Sequence, residues 1–127
     1  RGTTMKKIIQ MCRQAGAKNV YVASAAPPVR FPNVYGIDMP TRHELIAHNL
    51  SIEEIGTLLG ADALFYQTIE GMVAAATEGN PNIKEFETSV FSGKYVTGDV
   101  SPEYLSQLES SRRVTSKTQK IIPTMSV

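Results

Sequence analysis

Arg1-Gly2-Thr3-Thr4 opens the chain, a run from Met5 to Gly16 follows, and Asn19-Val20-Tyr21-Val22-Ala23-Ser24-Ala25 comes next. These residues decide the fold class. The first four are a polar loop. Residues 4–15 place Met5, Ile8, Ile9, Cys12 and Ala15 on one helical face, at spacings of three and four. Gly16 stands where a C-terminal cap belongs. Residues 19–25 read as a buried strand. Helix, short link and strand make half of a βαβ unit, so an α/β fold is expected, with a further strand before residue 1. The chain starts at Arg1 without a methionine, already inside what reads as a functional loop. We therefore expect the C-terminal part of something larger.

Outward from that unit, the pattern repeats in short pieces. Pro27, Pro28 and Pro32 keep residues 26–33 out of any helix. Val34-Tyr35-Gly36-Ile37 is a candidate small strand. Thr41-Arg42-His43-Glu44 has a capping-box pattern and predicts a helix through about Asn49. Ser51-Ile52-Glu53-Glu54 repeats it and predicts a second helix ending at Gly60. Residues 63–67 read as a buried strand, and Thr68 caps a helix from Ile69 to about Thr77. Residues 78–82 are a loop, and residues 87–97 alternate around Ser92-Gly93 as a hairpin would. Ser101-Pro102 predicts a helix start, with an end near Arg113. Three regions follow: 1–77, the main α/β part; 78–113, a hairpin and helix; 114–127, a flexible tail.

Composition limits the functional classes. With 127 residues and 42% apolar content, the chain can form one modest core. No apolar run approaches the roughly 20 residues that span a bilayer. Lys6 and Lys7 interrupt any signal-peptide pattern. A single cysteine excludes an internal disulfide and a site of several thiolates, which favours a reducing, cytoplasmic setting. A net charge of +1 gives no general attraction to nucleic acid.

The chemistry concentrates in Gly2-Thr3-Thr4. Gly2 has no β-carbon, so its amide can approach a phosphate closely. Thr3 and Thr4 add hydroxyl donors. The following helix aims unpaired N–H groups and its positive dipole end at the same point. Arg1 adds charge. Local sequence leaves a second reading open, a threonine cap on an ordinary helix.

Beyond this stretch the chain resembles the amidophosphoribosyltransferases. Arg1-Gly2-Thr3-Thr4 and Ala15-Gly16-Ala17-Lys18-Asn19-Val20-Tyr21 begin the resemblance. The block from Ala23 through Pro27-Pro28-Val29-Arg30-Phe31-Pro32-Asn33 to Asp38-Met39-Pro40 carries it furthest. Glu44-Leu45-Ile46-Ala47-His48, Ile55, Gly60-Ala61-Asp62 and Ser89-Val90-Phe91-Ser92-Gly93-Lys94-Tyr95-Val96-Thr97 extend it to about residue 113. The resemblance implies the C-terminal half of a type I phosphoribosyltransferase domain, Rossmann-like with a mostly parallel sheet, followed by C-terminal helices. It implies an enzyme moving the amide nitrogen of glutamine to phosphoribosylpyrophosphate, the first committed step of purine synthesis. Magnesium is implied, with its acidic ligands upstream of residue 1. A glutaminase domain with its nucleophilic cysteine is implied upstream too. This chain would then hold no catalytic residue, would be inactive alone, and would contribute Arg1, Gly2, Thr3 and Thr4 to the phosphate site. AMP and GMP are implied as inhibitors and a homo-oligomer, often a tetramer, as the assembly. With one cysteine, the type without an iron–sulfur cluster is expected. A nucleobase-salvage phosphoribosyltransferase, or a non-catalytic nucleotide-binding or oligomerisation module, remain the alternatives.

Other candidates stay secondary. Ser24, Ala25, Ala26 and Pro27 lie past a strand's C-terminal end, where open α/β sheets bind ligands. In the family this loop resembles a wall of the active site or ammonia channel, with Asp38 at a domain contact. A rigid loop shaped by prolines is the plainer reading. His43 and His48, five apart, do not suit one helix face as a metal pair. Cys12 reads as a structural thiol on the apolar face. Glu53 and Glu54 suit a helix's first turn.

Overall fold

The computed structural model describes residues 2–37, 39–83 and 85–119, with 112–119 described through the backbone alone. It divides into two units, residues 1–96 and 97–127.

The first unit is α/β. Helix α1 (Thr3–Gln14) leads to strand β1 (Tyr21–Ser24), helix α2 (Ile52–Leu59) to strand β2 (Ala63–Tyr66), and then come α3 (Ile69–Thr77) and α4 (Ser89–Ser92). The two strands pair in parallel, Tyr21 opposite Ala63 through Ser24 opposite Tyr66. Parallel pairing requires a crossover, and α2 with the segment before it supplies one. The strand period of two puts Val22 and Leu64 on one face, with Ile9, Ala47, Ile55 and Leu59 packed into the same core. The opposite face carries Tyr21 and Phe65, 65% and 59% exposed. Both strands were expected to be buried. The described residues cover only one face of the pair.

α1 starts and ends within a residue of expectation, but its apolar stripe is mostly uncovered. Ile9 alone is buried, while Met5, Ile8 and Met11 are exposed. Cys12 is half-buried. α2 follows its sequence signals closely. The Glu54 amide donates to Ser51 Oγ at 3.2 Å, and the Ser51 amide donates to Glu54 Oε2 at 2.7 Å. The Ser51 amide first, and then the Ser51 hydroxyl, hold the Glu54 carboxyl below its ordinary value. Thr68 caps α3 by accepting from the Gly71 amide at 3.0 Å.

Three further expectations, at 34–37, 41–49 and 87–97, need correction. The helix predicted from Thr41 to Asn49 is a 3₁₀ turn, Arg42–Glu44, followed by turns. Leu45 is extended (φ −74, ψ 122) and Asn49 left-handed (φ 60), which ends helical hydrogen bonding. The core takes Leu45 and Ala47 there. No strand forms at Val34–Ile37. Asn33, 3% exposed, instead accepts at Oδ1 from the amides of Tyr35 and Ile37, which bends the chain locally. The hairpin predicted over 87–97 is the single helical turn α4, closed by Gly93 at φ 74, whose amide donates to Ser89 O at 2.8 Å. The turn at Ser92-Gly93 is real, but it ends a helix.

In the second unit α5 spans Pro102–Gln119, capped where Ser101 Oγ accepts from the Tyr104 amide at 3.2 Å. The tail expected from residue 114 is helical through Gln119. Propagation adds a bond per residue, and no glycine or proline interrupts before Pro123. Residues 120–127 of the expected tail lie outside the described residues.

Asp62 fastens the α2–β2 link to the start of β1. Its Oδ2 accepts from the Val20 amide at 2.6 Å and from Arg13 Nη2 at 2.6 Å. Arg13 also donates to the carbonyls of Lys18 and Gly60. The Val20 amide first, and then Arg13, holds the Asp62 carboxyl below its ordinary value. A depressed folded-state pKa stabilises the fold above the unfolded value, roughly 3.9, and that share is lost as pH falls through the folded value. Asp62→Asn should therefore melt below wild type at pH 7. The gap should close as pH falls below about 4, and parallel melting curves at both pH values would refute this role.

Candidate phosphate site

Gly2 is the N-cap of α1, in the left-handed region at φ 75, ψ −6. Its carbonyl accepts the first helical bond, from the Lys6 amide at 3.0 Å. No side chain caps this end and no acidic residue occupies its first turn. Thr3 and Thr4 are exposed. Among the described residues the N-cap is Gly2 and not a threonine, with no side-chain cap hydrogen bond. Exposed Thr3 and Thr4 stand beside the positive dipole end of α1, the setting an anion needs. Arg1 lies outside the described residues.

A β-carbon on Gly2 would overlap Ile46 Cδ1 and stand 3.2 Å from Leu59 Cδ2. Ile46 belongs to the turn segment after the 3₁₀ turn. That segment is held in turn by Arg30, whose Nη1 donates to Ala47 O at 2.6 Å and to Leu50 O at 3.0 Å. Burial pushes the neighbouring Tyr66 hydroxyl up, and the Arg30 charge draws it back.

Ser24, Ala25, Ala26 and Pro27 follow β1 directly. Ser24 Oγ donates to Ala26 O at 2.8 Å and accepts from the Ala26 amide at 3.3 Å, so this hydroxyl serves its own turn. Ser24 O accepts from the Gln67 amide at 3.1 Å, which extends the ladder past β2. Ala25 is exposed and Pro27 buried. Among the described residues no hydrogen bond joins this loop to Thr3 or Thr4. Further along, the amides of Arg30 and Phe31 donate to Val90 O at 2.9 and 3.0 Å, and Tyr95 Oη donates to Pro32 O at 2.8 Å. The proline-rich loop is therefore a fixed element. Asp38 lies outside the described residues.

His43 and His48 do meet, edge to face, with ring centroids 5.4 Å apart. Spacing on one helix could not anticipate this, since the segment is not one helix. Among the described residues no group of three or more His, Cys, Asp or Glu could hold a metal ion. No described helix is long and apolar enough to cross a membrane. Arg30, Asn33 and Ile46 escaped sequence reasoning as site supports. Only Asn33, after a proline and two residues before Tyr35, carried a local turn signal.

An open helix N-terminus entered from a glycine turn, on a helix feeding a parallel strand, fits a segment of a type I phosphoribosyltransferase fold. No family model matches the sequence. Amidophosphoribosyltransferase of Pseudomonas aeruginosa is 56% identical over 119 residues, covering 94% of this chain and 24% of that protein. The Escherichia coli protein of that name is 53% identical over 117 residues, 92% of this chain and 23% of the relative. Among solved structures, glutamine phosphoribosylpyrophosphate amidotransferase from Bacillus subtilis, complexed with ADP and GMP, aligns at a TM-score of 0.64 with 34% identity. That alignment covers 82% of this chain and 24% of that one. A structure described as the allosteric regulatory enzyme of purine biosynthesis aligns at 0.66 with 34% identity, over 86% and 24%. Over nearly all of its length the chain matches a segment of the amidophosphoribosyltransferases, and it spans about a quarter of the curated relatives it matches.

Proposed function

We propose that this chain is part of an enzyme that transfers the amide nitrogen of glutamine to phosphoribosylpyrophosphate, giving 5-phosphoribosylamine at the first committed step of purine synthesis. Within it, Gly2, Thr3 and Thr4, with Arg1, grip a phosphate of the sugar substrate. The observation that carries this reading is the uncapped N-terminus of α1 behind a left-handed glycine, with two exposed threonines on it. The 56% identity to a named amidophosphoribosyltransferase favours it over nucleobase salvage and over a non-catalytic module.

The remaining parts follow from the same reading. Regions 1–77, 78–113 and 114–127 are the second half of the phosphoribosyltransferase domain, its C-terminal extension and a tail. Magnesium, the glutaminase domain and the reacting cysteine belong outside these residues, and the chain alone has no catalytic group. When bound, magnesium would neutralise the pyrophosphate. AMP and GMP compete for the phosphate site in a cytoplasmic homo-oligomer. Ser24, Ala25, Ala26, Pro27 and Asp38 line the approach between domains.

The test is Thr3→Val/Thr4→Val in the full-length protein. Two hydroxyl donors to a charged phosphate are lost, each about 1.5–3 kcal/mol when fully formed. The KM for phosphoribosylpyrophosphate should rise at least tenfold, with glutamine hydrolysis in the absence of that substrate unchanged. An unaltered KM would remove these residues from the site.

A further inference from the structure

The phosphate turn rests on a side chain that carries no hydrogen-bonding group. Glycine samples both halves of φ almost freely, so nothing covalent keeps Gly2 at φ 75. What keeps it there is packing. Ile46 Cδ1 occupies the space a β-carbon would need, and Leu59 Cδ2 stands beside it. Leu59 is 6% exposed on α2, inside the core.

Ile46 is itself fixed from both sides. Its neighbours Leu45 and Ala47 are buried. The carbonyls of Ala47 and Leu50 are held by Arg30, and the Arg30 backbone is bonded to Val90 O. A continuous set of contacts therefore runs from the proline-rich loop, through the 45–50 turns, to the glycine that aims the first amides of α1. Binding by backbone amides tolerates displacements of only about 0.5 Å. An unsupported glycine would exceed that.

We infer that Ile46 is a positioning residue for the phosphate turn: its Cδ1 wedge against Gly2 sets the direction of the Thr3 and Thr4 amides. The inference rests on the phosphate-binding reading above. It assigns a kinetic role to a side chain whose ordinary description would be half-buried core.

The decisive variant is Ile46→Val in the full-length protein, which deletes Cδ1 and keeps the branched stem. The KM for phosphoribosylpyrophosphate should rise about fivefold, with kcat within about twofold, since misplacement of under an ångström acts on binding geometry. A lowered melting temperature with an unchanged KM would overturn the inference, because a packing role alone predicts that pattern. A second measurement is the cycle with Gly2→Ala. Removal of Cδ1 makes room for the new methyl, so the double variant should lose less than the product of the single losses. Simple multiplication of the two effects would also overturn it. Thr3→Val/Thr4→Val separates the two levels. If that variant raises KM while Ile46→Val does not, only the wedge falls. If it leaves KM unchanged, the phosphate site and the wedge fall together.

Discussion

Gly2→Ala should lower the stability of the first unit by about 2–5 kcal/mol and raise the KM for phosphoribosylpyrophosphate well beyond the effect of either threonine. Two costs combine. A left-handed conformation costs a residue with a β-carbon about 1–2 kcal/mol. The new methyl also overlaps Ile46 Cδ1, and overpacking of this kind costs about 1–3 kcal/mol. Gly16 supplies the internal control, since it too lies at positive φ (95) but has nothing within 4 Å of a built β-carbon. Gly16→Ala therefore carries the backbone cost alone. Chemical unfolding of both variants measures the difference, which is the steric part at Gly2. Equal losses at the two positions would show that Ile46 yields freely, and the contact would have no energetic weight.

Arg30→Met should be of similar severity, on the order of 3 kcal/mol. Methionine keeps the aliphatic stem and its packing but removes every donor. Ala47 is 2% exposed, so its carbonyl loses a charged partner with no water to replace it. Leu50 O loses its bond as well. Arg30→Lys should fall between, because an ammonium lacks the planar guanidinium that reaches both carbonyls from one fixed orientation. The urea midpoint should drop in the order wild type, Lys, Met, at constant slope. A methionine variant that unfolds at the wild-type midpoint would mean the turn segment holds itself.

The sequence made the short-range devices of this fold legible. Ser51 and Glu54 announced α2 with a reciprocal cap, Thr68 announced α3, and Gly2-Thr3-Thr4 marked the start of α1. Each depends on residues within four positions of one another. What escaped depends on distance. Thr41 and Glu44 began a helix as expected, yet the core required Leu45 and Ala47, and the chain left helical geometry to deliver them. Residues 87–97 alternated as a hairpin does, but Val90 O was claimed by the proline-rich loop and the segment coiled into one helical turn. Ile46 lies 44 positions from Gly2, and no periodicity links them. The candidate site was readable as a chemical surface, and its supports were not.

The Asp62 fastening bears on the order in which the molecule assembles. Its bonds to Val20 and Arg13 span 42 and 49 residues, far longer than the caps and turns around it. Contacts of that separation cannot form until β2 has found β1, and loop closure must come before they return any free energy. The carboxylate therefore locks a pairing that is already made. It acts as a latch on the finished unit, slowing its opening and leaving the speed of its formation to the helices.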